Sequence, residues 1–137
     1  MDFTEAQNEV VRSVAGSADM ADWERLLADV EILEHPGDYQ IDYICLAVCG
    51  EGDALELRQF RLSAAARDAI TSLYRQRKEE AGDVIGGFEL TIDRSGRFRF
   101  AFLNGPPQRI NGNWDAERAQ MLNNYLDIYR AELAATR

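Results

Sequence analysis

The chain has 137 residues, of which 46% are hydrophobic and 28% are charged, a composition typical of one globular domain. Its 24 acidic and 15 basic side chains give a net charge of -9, which excludes a general nucleic-acid binder and argues against binding to anionic membranes. No apolar run approaches the ~20 residues that span a bilayer, and the first residues do not read as a signal peptide. We therefore expect a single cytoplasmic domain over residues 1–137.

Hydrophobic periodicity predicts an α+β domain, with an antiparallel sheet of about five strands packed against helices in the order α-β-β-(β)-α-β-β-α. The first two strands should form a hairpin around a turn at residues 35–38. The segment 54–61 reads as a third strand or as an irregular lead-in to the second helix. In chain order, the predicted elements are a helix over 4–15, strands over 23–34, 39–49 and 54–61, a helix over 63–82, strands over 88–93 and 97–103, and a last helix after residue 113.

Short polar residues and glycines set the expected boundaries of these elements. Thr4, Ser63 and Asn113 are predicted to cap the three helices through their side-chain oxygens. The glycine clusters at 50–52 and 86–87 are read as turns, because neither has the spacing of a phosphate-binding loop.

The segment 88–103 carries the most specific pattern in the chain. Apolar and polar residues alternate on both sides of Arg94-Ser95-Gly96, a three-residue loop with glycine where a left-handed conformation is favoured. A single register satisfies both faces of this hairpin, so the aromatic stripe is expected to be core. That register pairs Ile92 with Phe98, Leu90 with Phe100, Phe88 with Phe102, Thr91 with Arg99 and Asp93 with Arg97.

The rare residue types predict no catalytic residue, no cofactor and no metal site. The single histidine, His35, lies in a predicted turn, and Cys45 and Cys49 share one face of an apolar strand. Three such residues cannot supply the four ligands of a usual structural zinc site, so the cysteines are expected to be small core residues. Trp23 and Trp114 are interpreted as core or edge anchors.

Acidic residues are concentrated in the first part of the chain. Residues 1–60 hold 14 acidic and 3 basic side chains, whereas residues 61–137 hold 10 and 12. Such a surface is either merely solvated or a docking surface for a basic partner. Asp29 and Glu31 are expected on the outward face of the first strand, with Asp42 opposite. The predicted partner-binding residues are Asp29, Glu31, Glu34, Asp38, Asp42, Glu51 and Asp53.

A helix with Ala69, Ile70 and Leu73 precedes the hairpin that opens with Phe88, and Trp114 and the pair Tyr125-Leu126 follow. Over residues 57–126 this arrangement resembles the YezG-type immunity protein family. The resemblance implies a small cytoplasmic bacterial protein that neutralises a secreted toxin, often a nuclease.

The sequence thus predicts a non-enzymatic immunity protein (antitoxin) that binds a basic, nuclease-like protein toxin through an acidic surface. Nucleic acid and membrane are not expected partners, and a homodimer is left open. One alternative is an acidic secretion chaperone, which would hold an effector segment on exposed apolar patches. A second alternative is a small enzyme or ligand-binding domain that uses carboxylates alone.

Overall fold

Five antiparallel strands form one sheet in the order β3-β2-β1-β4-β5, with helices packed on both faces. The computed structural model describes residues 2–136. Its elements are α1 (Phe3–Ser17), β1 (Trp23–His35), β2 (Asp38–Cys49), a 3-10 turn (Gly52–Ala54), β3 (Glu56–Gln59), α2 (Ala64–Ala81), β4 (Ile85–Asp93), β5 (Phe98–Asn104), α3 (Ala116–Asn123) and α4 (Tyr125–Ala135). The predicted α+β class and element order are confirmed, with the last predicted helix divided into α3 and α4.

Both predicted hairpins form in the expected pairing. β1 and β2 pair from His35 opposite Asp38 at the turn to Trp23 opposite Cys49 at the far end. In the β4–β5 hairpin, Ile92 lies opposite Phe98, as predicted. The predicted pairs Leu90–Phe100 and Phe88–Phe102 also form. β1 also pairs with β4, so the long first strand is the centre of the sheet.

The first face of the sheet is apolar and is covered by α1 and α2. Alternate residues of β1 from Leu26 to Ile32 pack there with the alternate residues Phe88, Leu90 and Ile92 of β4. α1 contributes Ala6, Val10 and Val14, and α2 contributes Ala66, Ala69, Ile70, Leu73 and Tyr74. Cys45 and Cys49 are free thiols buried in this layer, as expected. This face holds most of the hydrophobic core.

The second face has a smaller apolar cluster and is covered by α3 and α4. Leu27 of β1 and Leu46 and Val48 of β2 pack against Leu122, Tyr125 and Tyr129. An ion-pair group on Arg25 ties α4 to the sheet. Its Nε lies 2.7 Å from Asp93 Oδ1, its guanidinium contacts Glu132, and it stacks 4.9 Å from the ring centre of Tyr129.

Two predicted helix caps are wrong. The cap of α1 is Asp2, whose Oδ1 accepts a hydrogen bond from Glu5 N at 2.8 Å, because the helix begins one residue before Thr4. The cap of α3 is Asp115 instead of Asn113, and its carboxylate accepts bonds from two backbone amides of the first turn. Ser63 does cap α2, through a 3.1 Å bond from Ala66 N.

Other predictions fail where tertiary contacts replace a turn or a core position. Gly86 and Gly87 lie inside β4 and not in a turn, and a Cβ on Gly87 would come within 2.0 Å of Val30 O. Trp114 is 66% exposed, and Phe98, on the edge strand β5, is 40% exposed. The glycines therefore allow close backbone approach, and the aromatic stripe is only partly core.

Within residues 2–136, no helix is both long and apolar enough to cross a membrane. In the same part of the chain, no group of three or more His, Cys, Asp or Glu side chains is arranged to hold a metal ion.

Candidate functional site

Asp29 and Glu31 lie on the second face of the sheet, among charged neighbours on the adjacent strands. Asp29 pairs with Glu89 of β4, and Glu31 pairs with Asp42 of β2. The side chain of Asp29 is fully buried and that of Glu31 is 4% exposed. Buried carboxylates are costly unless they are paired, so the rest of the chain has to supply cations and donors.

Two arginines from the C-terminal part of the chain supply that charge. Arg109 Nη1 lies 2.8 Å from Asp29 Oδ1, and its Nε lies 2.7 Å from Asp42 Oδ2. Arg118, in α3, contacts the second oxygen of Asp29 and lies 3.2 Å from Glu89 Oε2. Burial lowers the pKa of Arg109, but its hydrogen bonds to Asp29 and Asp42 outweigh that effect, so its pKa is raised. The guanidinium group of Arg109 therefore remains charged.

Glu31 holds the loop at residues 105–115, here called the covering loop, by its backbone. Its two carboxylate oxygens accept hydrogen bonds from Ile110 N at 3.1 Å and from Gln108 N at 3.3 Å. Within the loop, the Asn111 side chain donates to Pro107 O at 2.7 Å. The covering loop thus closes the polar half of the second face.

The prediction that Asp29 and Glu31 lie on an exposed face is wrong. Period-two alternation correctly separates them from the first core, but the covering loop and α3 bury them. Of the three predicted residues Asp29, Glu31 and Asp42, only Asp42 is well exposed, with a side chain that is 46% exposed while it contacts Arg109. Arg109 and Arg118 were not identified from the sequence, because their partners are 29 to 89 residues away along the chain.

Glu34 and Asp38 lie beside the β1–β2 turn, and both are exposed. Glu34 Oε1 accepts from Lys78 Nζ at 2.9 Å and from the Tyr74 hydroxyl at 3.1 Å. These two hydrogen bonds, that of Lys78 first, lower the pKa of Glu34. Asp38 Oδ1 accepts from Tyr39 N at 2.8 Å. The negative charge at this end is therefore largely used within the molecule.

Glu51 and Asp53 lie at the other end of β2, about 36 Å from the β1–β2 turn at roughly 3.3 Å per residue. The backbone joins their segment to the end of the α1–β1 connection, since Gly50 N donates to Asp22 O at 3.1 Å. We call the exposed carboxylates gathered here the acidic end. Its members are Asp22, Glu51, Asp53 and Glu56.

One arginine partly balances the acidic end. Arg58 hydrogen-bonds Glu56, which raises the pKa of the arginine, and it lies 3.9 Å from Asp22 Oδ1. The Asp22 carboxylate also adds to the effect of burial in raising the pKa of the Cys49 thiol. The seven predicted partner-binding residues thus occupy three separate places, and the acidic end is the one with the most exposed carboxylates per cation.

The single histidine lies in the same place as Glu34 and Asp38. His35 is exposed beside the β1–β2 turn, where its Nε2 lies 3.1 Å from Gln40 Oε1. Comparison with known protein families and with curated proteins finds no match for the chain. The resemblance to the YezG-type immunity family therefore stays a prediction, based on the hairpin and the helix that carry it.

Proposed function

We propose that this chain is a cytoplasmic immunity protein that binds and neutralises a basic, nuclease-like toxin through its acidic end. The observation that supports the proposal most is the set of four exposed carboxylates of Asp22, Glu51, Asp53 and Glu56, of which only Asp22 and Glu56 are within ion-pair distance of Arg58. A toxin that holds phosphate needs basic residues, and carboxylates at fixed positions can cover them.

The backbone at the acidic end supports such a role. Ala54 N donates to Glu51 O at 2.9 Å, and residues 46–49 of β2 pair with β3. The carboxylates therefore project from a hydrogen-bonded turn and strand end. The electrostatic field of these carboxylates attracts a basic partner before the two proteins touch. It should therefore raise the rate of association at low salt.

The two buried carboxylates have a different role in this proposal. Asp29 and Glu31 bind Arg109 and the covering loop, so they stabilise the fold and do not contact the toxin. The enzyme alternative loses its best-placed carboxylates for the same reason. The chaperone alternative predicts large exposed apolar patches, whereas the exposed large apolar side chains lie on separate elements: Val84, Phe98, Trp114 and Leu133.

The test compares two charge-reversal variants in affinity isolation from the native host. One carries Asp22→Lys, Glu51→Lys and Asp53→Lys at the acidic end. The matched control carries Asp68→Lys, Glu79→Lys and Glu80→Lys on exposed positions of α2. We expect wild type and control to retain a basic protein that the acidic-end variant loses and that rising salt releases.

The retained protein is then purified and assayed as a nuclease. One equivalent of the wild-type chain should abolish its activity, and the acidic-end variant should need a large excess. Equal retention by all three proteins, or a retained protein without toxic activity, would contradict the proposal. A partner held through one extended segment at high salt would favour the chaperone alternative.

A further inference from the structure

β2 is open along half of its outer edge. β3 pairs only with Leu46–Cys49, and Phe60 N adds one hydrogen bond to Cys45 O at 3.1 Å. The Cys45 carbonyl points away from β1, and in an antiparallel strand every second residue directs its N–H and C=O to the same side. The backbone groups of Ile41 and Tyr43 therefore also point away from β1. The described residues place no strand against this segment. An open edge of this kind is a template for another extended chain.

α2 runs beside the open edge in the opposite direction and forms one wall of a groove. Near its start, Arg61 and Phe60 face Tyr43 across a depression of about 500 Å³. Further along, a second depression of about 610 Å³ lies between Ile41 and the outer side of α2. The groove ends where Arg75 Nε donates to the Tyr39 hydroxyl at 3.2 Å.

The wall of this groove is basic, although the chain as a whole is acidic. Arg61, Arg67 and Arg75 are all exposed along it. Within residues 2–136, neither Arg61 nor Arg67 forms an ion pair. Asp68 is the exposed acid beside them on α2, and the Asp38 carboxylate at the far end already accepts a backbone bond.

We propose that the open edge of β2 binds an extended, acidic segment of a partner protein, which adds a sixth strand to the sheet. Side chains of that strand on the first face would point into the groove. Arg67 and Arg75 are eight positions apart, about 12 Å along a helix, which matches about 13 Å for residues four apart in a strand. The geometry therefore fits two carboxylates four residues apart, with an apolar residue midway over Ile41.

A second copy of this chain fits the groove less well. Antiparallel pairing of two β2 edges would bring the α2 arginines of both copies toward the same groove. Like charges in close contact oppose such an association. An acidic segment instead pairs its carboxylates with arginines that form no ion pair within residues 2–136.

The probe is a short fluorescent peptide in which two glutamates flank a central valine at alternate positions. The double variant Arg67→Glu, Arg75→Glu should bind it about tenfold more weakly than wild type, as expected for two charges at the rim of an interface. The control is Arg97→Glu, Arg99→Glu, which makes the same charge change at exposed positions at the start of the other edge strand. It should bind with wild-type affinity in fluorescence anisotropy.

A backbone variant tests the added strand independently of charge. Ile41→Pro removes an N–H that faces away from β1, a position where an edge strand tolerates proline. Because the half-buried Ile41 side chain packs against the core of the first face, this variant should stay folded with a lower thermal midpoint. It should lose the peptide, whereas Ile41→Ala, which loses the same packing but keeps the N–H, should bind the peptide more tightly than Ile41→Pro does. A peptide with lysines in place of the glutamates should not bind wild type.

The proposal is overturned if wild type does not bind the glutamate peptide, or if the lysine peptide binds equally well. It is also overturned if the control variant, and not the Arg67 and Arg75 variant, loses binding. If sedimentation shows a wild-type dimer that Ile41→Pro makes monomeric, the edge pairs with its own copy and the proposal is wrong.

Discussion

The two faces of the sheet are closed by different kinds of interaction. On the first face, 21 buried residues form one apolar cluster with α1 and α2. On the second, six buried residues pack with α3 and α4, and beside them the buried carboxylates of Asp29 and Glu31 are matched by Arg109, Arg118 and backbone amides. The first face is stabilised by the apolar area that it buries, in proportion to that area. The second face also depends on charged groups and hydrogen-bond donors that have to meet in one geometry.

The largest expected effect comes from removing the charge at the centre of the second face. Asp29→Ala leaves Arg109 and Arg118 without the carboxylate they share, which should lower the free energy of unfolding by about 3–5 kcal/mol. Asp42→Ala removes a contact of the same Arg109 from a half-exposed position and should cost about 1 kcal/mol or less. Urea denaturation of the two variants measures the difference.

The double variant Asp29→Leu, Arg109→Met should recover most of that loss, because it replaces a buried ion pair with apolar groups of similar size. Arg118 keeps Glu89 in that variant, and Glu31 keeps its bonds to the covering loop. If Asp29→Ala were as stable as wild type, the charged groups around Asp29 would be hydrated and the ion pairs would add nothing to stability. The second face would then not depend on matched charges, and the contrast with the first face would be lost.

Adjacent leucines on β1 give a second test of the comparison. Leu26 and Leu27 are both fully buried but point to opposite faces of the sheet. Replacing either with alanine should cost about 2–5 kcal/mol, with the smaller loss on the second face, where the thinner cluster can collapse around the space. Hydrogen exchange should quicken in α1 and α2 for Leu26→Ala, and in α3 and α4 for Leu27→Ala. The same pattern in both variants would contradict separate layers.

Local sequence pattern was enough to predict the first face. Alternation in β1 and β4, helical spacing in α2 and the turn at Gly96 each depend on neighbours along the chain, so the strands and the β4–β5 register follow from residues that are close in sequence. Edge position is a property of the whole sheet, which is why the exposure of Phe98 was not predicted.

The second face could not be predicted in the same way. Nothing near Asp29 indicates that Arg109 will cover it, and an acidic residue on the polar side of a strand is normally solvated. The pair Gly86-Gly87 was a missed signal. Two glycines that open a strand indicate a close backbone approach, here by Val30 of β1 and by Gly105 of the covering loop.

The smallest expected effect concerns ionisation on the first face, where Cys45 is buried in an apolar cluster. Burial, with a contribution from Asp29, raises the pKa of Cys45 from 9.0 to about 12. The unfolded chain therefore ionises first, so this contribution to stability is complete below pH 9 and is lost as the pH rises toward 12. At pH 10 the loss should be about 1.4 kcal/mol, and Cys45→Ala should lack that increment of the alkaline decline. The raised pKa values of Tyr74, Tyr125 and Tyr129 lower the stability of wild type and of Cys45→Ala by the same amount at alkaline pH. Urea denaturation of both proteins at pH 8 and at pH 10 therefore isolates the contribution of the Cys45 thiol. Identical declines would show that a charge can form at Cys45 without a partner, which would remove the distinction between the two faces.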